Sequence, residues 1–240
     1  MNLGPEQGGT LARALKEVSS SLSRTELWVA PPFLTVPAVS NIAQGSPLRV
    51  GVQNVHWEEA GAFTGEVSVA MAKECGCSFA IIGHSERRHV FGEDNEMVKA
   101  RTLSSLSCAF TTVLCIGETL ESREAGKTFA VLEDQLTGIL PHVAETAQHL
   151  VFAYEPVWAI GTGKVASLEE IEEAHTAINE LWASYHPTLA CPPILYGGSV
   201  NPDNFGDIIS IPNVSGGLVG GASLSEEKFR ALAEISESFQ

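Results

Sequence analysis

Seven short, almost wholly apolar runs punctuate this chain, and between them lie longer segments with a helical stripe. The runs are Leu27–Ala30, Leu48–Gln53, Phe79–Gly83, Thr112–Ile116, Leu150–Tyr154, Ile194–Tyr196 and Gly217–Val219. None alternates apolar with polar, which is how a parallel strand reads when both of its faces are covered. The clearest helix is Ser167 to Tyr185, where Ile171, Ala174, Ile178 and Leu181 share one face and Ser167 with Glu170 forms a capping box. Asp94 to Leu106, Lys127 to Leu140 and Ser225 to Ile235 also read as helices. Leu11, Ala14, Leu15, Val18 and Leu22 make a helical stripe before any strand has appeared, so eight helices accompany seven strands. The units recur every ~20–40 residues with no linker, and no G-x-G-x-x-G follows an early strand. One α/β domain over residues 1–240, a (β/α)8 barrel, is therefore expected, in preference to two Rossmann halves. Such a barrel closes with eight strands, so the first is expected to be absent from this chain and to belong ahead of Met1.

Charge narrows the partners. Fourteen Lys and Arg against 29 Asp and Glu leave a net charge of −15, which repels phosphate backbones and acidic membrane surfaces, so neither nucleic acid nor membrane is an expected partner. One of the two longest segments free of Asp, Glu, Lys and Arg, Leu181 to Pro202, carries Pro187, Pro192, Pro193, Gly197 and Gly198, which a spanning helix would not hold together. Met1 to Gln7 lacks the basic start and apolar stretch of a signal peptide. Five cysteines without metal spacing fit reduced thiols, and a cytoplasmic setting is expected, with no metal.

In barrels of this kind the reactive groups gather where strands end. Here those ends are polar: Gln53-Asn54, Gly83-His84-Ser85-Glu86-Arg87-Arg88, Tyr154-Glu155-Pro156, Gly197-Gly198-Ser199 and Gly220-Gly221. His84 and Glu155 leave two different strands and could face each other across the mouth, an arrangement suited to moving protons on a bound carbonyl compound. Either alone is as well read as a solvated side chain. The glycine pairs end the last two strands, where barrels commonly bind phosphate on backbone N–H groups, although tight turns require glycine in any case. Pro156-Val157-Trp158-Ala159-Ile160-Gly161-Thr162-Gly163-Lys164 has the stiff start, apolar middle and Gly-Thr-Gly end of a lid.

The stretch Ala153 to Lys164, with Gly83 to Arg88 and Tyr196 to Ser199, resembles the triosephosphate isomerase family. The likeness continues through Gln53-Asn54, Gly61 to Glu66, Cys115-Ile116-Gly117-Glu118 and the C-terminal glycines, essentially the whole chain. The resemblance implies a TIM barrel that interconverts glyceraldehyde 3-phosphate and dihydroxyacetone phosphate, a step of glycolysis and gluconeogenesis, without cofactor or metal. It implies Glu155 as the base, a neutral His84 as the group that polarises the carbonyl, and Glu86 as a supporting carboxylate. Gly161, Ser199, Gly220 and Gly221 would hold the phosphate, and residues 156–164 would cover it. Phe63, Thr64, Gly65 and Glu66 would insert into a second subunit, making a homodimer. The family normally begins with a strand ending Asn-x-Lys-Met-Asn, and this chain matches from Met1-Asn2, so the substrate-binding Asn and catalytic Lys have no counterpart here. The expectation is impaired isomerase activity. The alternative is a catalytically inactive dimeric scaffold that keeps the phosphate pocket.

Overall fold

In a computed structural model that describes residues 1–160 and 164–239, the chain opens with helix α1 (Pro5–Ser21), as its apolar stripe requires. Strand β1 (Trp28–Val29) and helix α2 (Val36–Ala43) follow, then β2 (Arg49–Val52) and α3 (Val69–Glu74). Next come β3 (Phe79–Ile82), with helices α4 (Ser85–His89) and α5 (Asn95–Ser107), and β4 (Thr111–Ile116), with α6 (Leu120–Glu124) and α7 (Thr128–Thr137). The chain continues through β5 (Leu150–Tyr154), α8 (Leu168–Tyr185), β6 (Ile194–Tyr196), α9 (Phe205–Ile209), β7 (Gly216–Gly217) and α10 (Glu226–Ser238). The helical layer thus has the eight expected positions. Two of them, after β3 and after β4, are each broken into a short and a long helix, giving ten α-helical segments among the described residues.

All seven strands pair in parallel in the order β1-β2-β3-β4-β5-β6-β7, and the sheet curls into part of a barrel, as expected for the TIM-barrel class. Its faces sort by alternate residues, as the pleat demands. Phe79, Val113, Cys115, Val151 and Ala153 point into the barrel with Trp28, Ile81 and Leu195. Their neighbours Ala80, Ile82, Leu114, Ile116, Phe152 and Tyr154 point outward against the helices. Burial on both faces is why these strands lack alternation in sequence. Gly51 permits the close packing, because a Cβ there would lie 2.5 Å from the Phe79 ring.

Among the described residues β1 and β7 do not pair with each other. Between them lies an open cavity of about 1840 Å³, bordered by Trp28, Phe79, Val113 and Leu195 inside and by Leu15 and Leu232 of the flanking helices. The last strand begins one residue earlier than its apolar run, at Gly216, although Leu218 N still donates to Tyr196 O at 2.9 Å. No described helix is long and apolar enough to cross a membrane.

Candidate active site

Strand β3 ends at Ile82, and Gly83, at φ +72°, turns the chain into α4. His84 occupies the N-cap of that helix, where its Nδ1 accepts the Glu86 backbone N–H at 3.3 Å. A nitrogen that accepts carries no proton, so the ring proton sits on Nε2. That Nε2 lies 3.0 Å from Oε1 of Glu155, the residue that follows β5. Two effects act on the imidazole. Burial works to lower its pKa, but the hydrogen bond and charge of Glu155, backed by Glu86, outweigh it and leave the pKa raised.

Glu155 is 2% exposed, and its second oxygen, Oε2, accepts the Ser85 N–H at 2.8 Å. Its backbone N donates to Ile116 O at 2.7 Å, which binds it to the end of β4. Glycine makes this seat possible on both sides. A Cβ on Gly117 would fall 1.8 Å from Glu155 O, and one on Gly197 would fall 2.9 Å from Glu155 Cγ. The result is a desolvated carboxylate and a singly protonated imidazole in contact, both bordering the central cavity. A pair of this kind can take a proton from carbon and supply one to oxygen on the same substrate.

The same cavity is bordered by Gly197, Gly198 and Ser199 and by Gly220, Gly221 and Ser223, so the two glycine turns and the His84–Glu155 pair open into one space. Around Gly220 and Gly221 no atom beyond their own stretch of chain comes within 4 Å of where a Cβ would stand, while the Gly220 carbonyl accepts from the Ser223 N–H and hydroxyl at 3.0 and 2.6 Å. Ser199 Oγ lies 2.6 Å from Ala159 O and 3.2 Å from Lys164 O, and its single proton serves the shorter contact. Ser199 is thus hydrogen-bonded to the 3₁₀ turn of the expected lid at Ala159. Of that lid, Val157–Ala159 form a 3₁₀ turn, while Gly161, Thr162 and Gly163 lie outside the described residues. Ile160 borders the cavity. Glu86 is exposed, and its carboxylate stands 3.9 Å from His84 Nδ1. Phe63, Thr64, Gly65 and Glu66 stand apart from the cavity on an exposed loop, where Phe63 packs 4.2 Å from His56. Among the described residues no cluster of His, Cys, Asp and Glu could hold a metal ion.

Reading the sequence named Ser85, Gly117, Glu118 and Gly197 in its motifs but gave them no role in the site. Ser85 holds Glu155, Gly117 and Gly197 make room for it, and Glu118, fully buried, accepts from Tyr154 Oη at 3.0 Å and from Trp158 Nε1 at 3.1 Å.

The triosephosphate isomerase family model matches residues 1–236. The chain belongs to the triosephosphate isomerase family. A protein of Endomicrobium trichonymphae named triosephosphate isomerase is 43% identical over 239 residues, 99% of this chain and 96% of that protein. Its namesake in Citrifermentans bemidjiense is 46% identical over 230 residues, 95% and 92% of the two chains, and that of Aquifex aeolicus 44% over 226 residues, 94% and 90%. Membership in an isomerase family agrees with a site built for proton transfer.

Proposed function

We propose that this chain interconverts glyceraldehyde 3-phosphate and dihydroxyacetone phosphate through an enediolate, with Glu155 as the base and His84 as the proton donor to oxygen, the roles established for the family. The observation that carries the reading is the His84 Nε2–Glu155 Oε1 contact at 3.0 Å, with Nδ1 occupied by the Glu86 N–H. Substrate entering the cavity takes the place of that contact. Glu155 then faces the carbon beside the carbonyl, and Nε2–H faces the carbonyl oxygen. Glu86 supports the ring from the mouth. The backbone turns at Ser199 and at Gly220-Gly221 receive the phosphate, as glycine-rich strand ends do in this fold. No cofactor is required for this chemistry.

Strand β1 and the start of α1 contribute no lysine to the cavity, whose only basic side chains are Arg24, Arg49, Arg87 and His84 among the described residues. We therefore propose that turnover is impaired, because an oxyanion donor typically contributes ~10²–10³ in rate. The homodimer reading is supported by the exposed loop 61–66, in which Phe63 is 42% exposed. A cytoplasmic location is proposed on the reduced thiols.

The test is an isomerisation assay with glyceraldehyde 3-phosphate on the 240-residue chain, beside a version extended by an N-terminal strand ending Asn-Trp-Lys, with Glu155→Gln in each. The expected result is strong turnover only in the extended protein and a ~10²–10⁴-fold loss on Glu155→Gln. If neither protein turns over while a phosphorylated triose still binds, the inactive scaffold is the correct reading.

A further inference from the structure

The ladder between β3 and β4 runs as far as Ile82 opposite Leu114, and the next pair in register is Gly83 opposite Cys115. There a side chain takes over. Arg88, in α4 and four residues beyond His84, donates from Nε to Gly83 O at 2.8 Å and from Nη2 to Cys115 O at 3.2 Å. Its Nη1 donates to Asn95 Oδ1 at 2.8 Å, and Asn95 in turn donates to Asp134 of α7. The space it uses exists because residue 83 is glycine: a Cβ there would lie 3.1 Å from Nη2 and 3.2 Å from Cys115 O.

Both carbonyls matter to the site. Gly83 immediately precedes His84, and Cys115 precedes Ile116, whose carbonyl holds the Glu155 backbone at 2.7 Å. The Cys115 thiol is wholly buried against Glu155. Arg88 does not border the cavity that His84 and Glu155 share. We propose that Arg88 is a positioning residue for the His84–Glu155 pair, a planar fork that locks the end of β3, which carries His84, to the end of β4, against which the Glu155 backbone is held. A lysine, a point donor on a flexible stem, would hold one of the two carbonyls and leave the other free.

This inference rests on the proton-transfer reading of the site, so its test has two arms. In the first, Arg88→Ala and Arg88→Lys are made in whichever of the short and extended proteins turns over. For Arg88→Ala, a folded protein with kcat lowered ~10²-fold and KM within twofold is expected, with partial recovery in added guanidinium and an intermediate rate for Arg88→Lys. In the second arm the His84 ring nitrogens are followed by NMR through a pH titration of the 240-residue chain. In Arg88→Ala the loosened contact with Glu155 should bring the His84 midpoint down toward the ordinary histidine value, and guanidinium should restore it. An unchanged kcat with an unchanged titration would overturn the proposal. So would a rate loss that follows lowered thermal stability while the His84 signals stay in place. If neither protein turns over, the isomerase reading fails, and the NMR arm still decides whether Arg88 sets the pair.

Discussion

At the scale of single residues the site depends on side chains that are absent as much as on those present. Gly117 carries no functional group, yet a methyl there would occupy the place of the Glu155 carbonyl. Gly117→Ala should therefore force β4 and β5 apart at their ends, costing ~1–3 kcal/mol by overpacking and moving the carboxylate. Thermal melts and kcat measured together check this, and a variant that loses stability but keeps its kcat would contradict it. His175 is a second case. It is fully buried in α8, its Nδ1 lies 3.1 Å from Asn213 O, and Nε2 has no partner among the described residues. Desolvation pushes its pKa down to about 4. Because the folded value lies below the unfolded one, stability is full above pH 6.5 and falls as the pH drops toward 4, where the unfolded chain takes up a proton that the native state refuses. The effect is on the order of 3 kcal/mol at most. Urea unfolding between pH 7 and 4 should show this slope, and His175→Gln should flatten it. Sequence pointed to His84 and Glu155 because they are polar groups at strand ends, whereas Ser85 and Arg88 stand in the same strand-end motif with no role that the pattern assigns, and His175 lies in a helix with no mark at all. What distinguishes these three is which neighbour they reach, and a one-dimensional pattern does not contain that.

At the scale of elements, local rules were legible and contacts between distant elements were not. The capping box at Ser167 and Glu170 forms as the spacing indicates, and α8 runs from Leu168 to Tyr185. The helices expected from Asp94 and from Lys127 form as α5 and α7, while the short α4 and α6 ahead of them were not read from sequence; Gly92 and Gly126, at positive φ, turn the chain between the pieces. Nothing in the pattern announced Glu237. At the end of α10 its carboxylate accepts the backbone N–H groups of Ser23, Arg24 and Thr25 at 2.8, 3.0 and 2.9 Å and the Ser23 hydroxyl at 2.6 Å, tying the last helix to the turn before β1. The Ser23 hydrogen bonds lead in holding its pKa down at about 2. A carboxylate with a depressed folded pKa contributes stability that is complete above about pH 4.5 and disappears as the pH falls toward 2. Glu237→Ala should lose that acid-sensitive component and speed amide exchange in α10. Equal exchange in the two proteins would show that α10 is held by its packing alone.

At the scale of the whole molecule the open flank between β1 and β7 is the dominant feature. Parallel strands pair alternate residues to opposite sides, and Leu27 O already serves Arg49 N on the β2 side, so the peptide groups of Trp28 face the gap. A strand supplied there would pair both edges and cover part of the 1840 Å³ cavity. Recovering about 3 kcal/mol would raise Tm by about 6–12 °C in a chain of this size. Slower amide exchange at Trp28 and Gly217 in the extended protein, with a higher Tm, is the expected outcome. An unchanged Tm would mean that the helices α1 and α10 already hold the flank.

Strand number, parallel pairing, the eight helical positions and the two reactive residues were determined by the sequence itself, because burial on both faces and helical periodicity are written locally in residue order. Where the sheet stops pairing, how Gly117 and Gly197 seat a carboxylate, and which guanidinium or carboxylate bridges two elements were decided only by the tertiary structure. Those features arise from hydrogen bonds and close approaches between residues tens to hundreds of positions apart, whose geometry exists only once the sheet has curled.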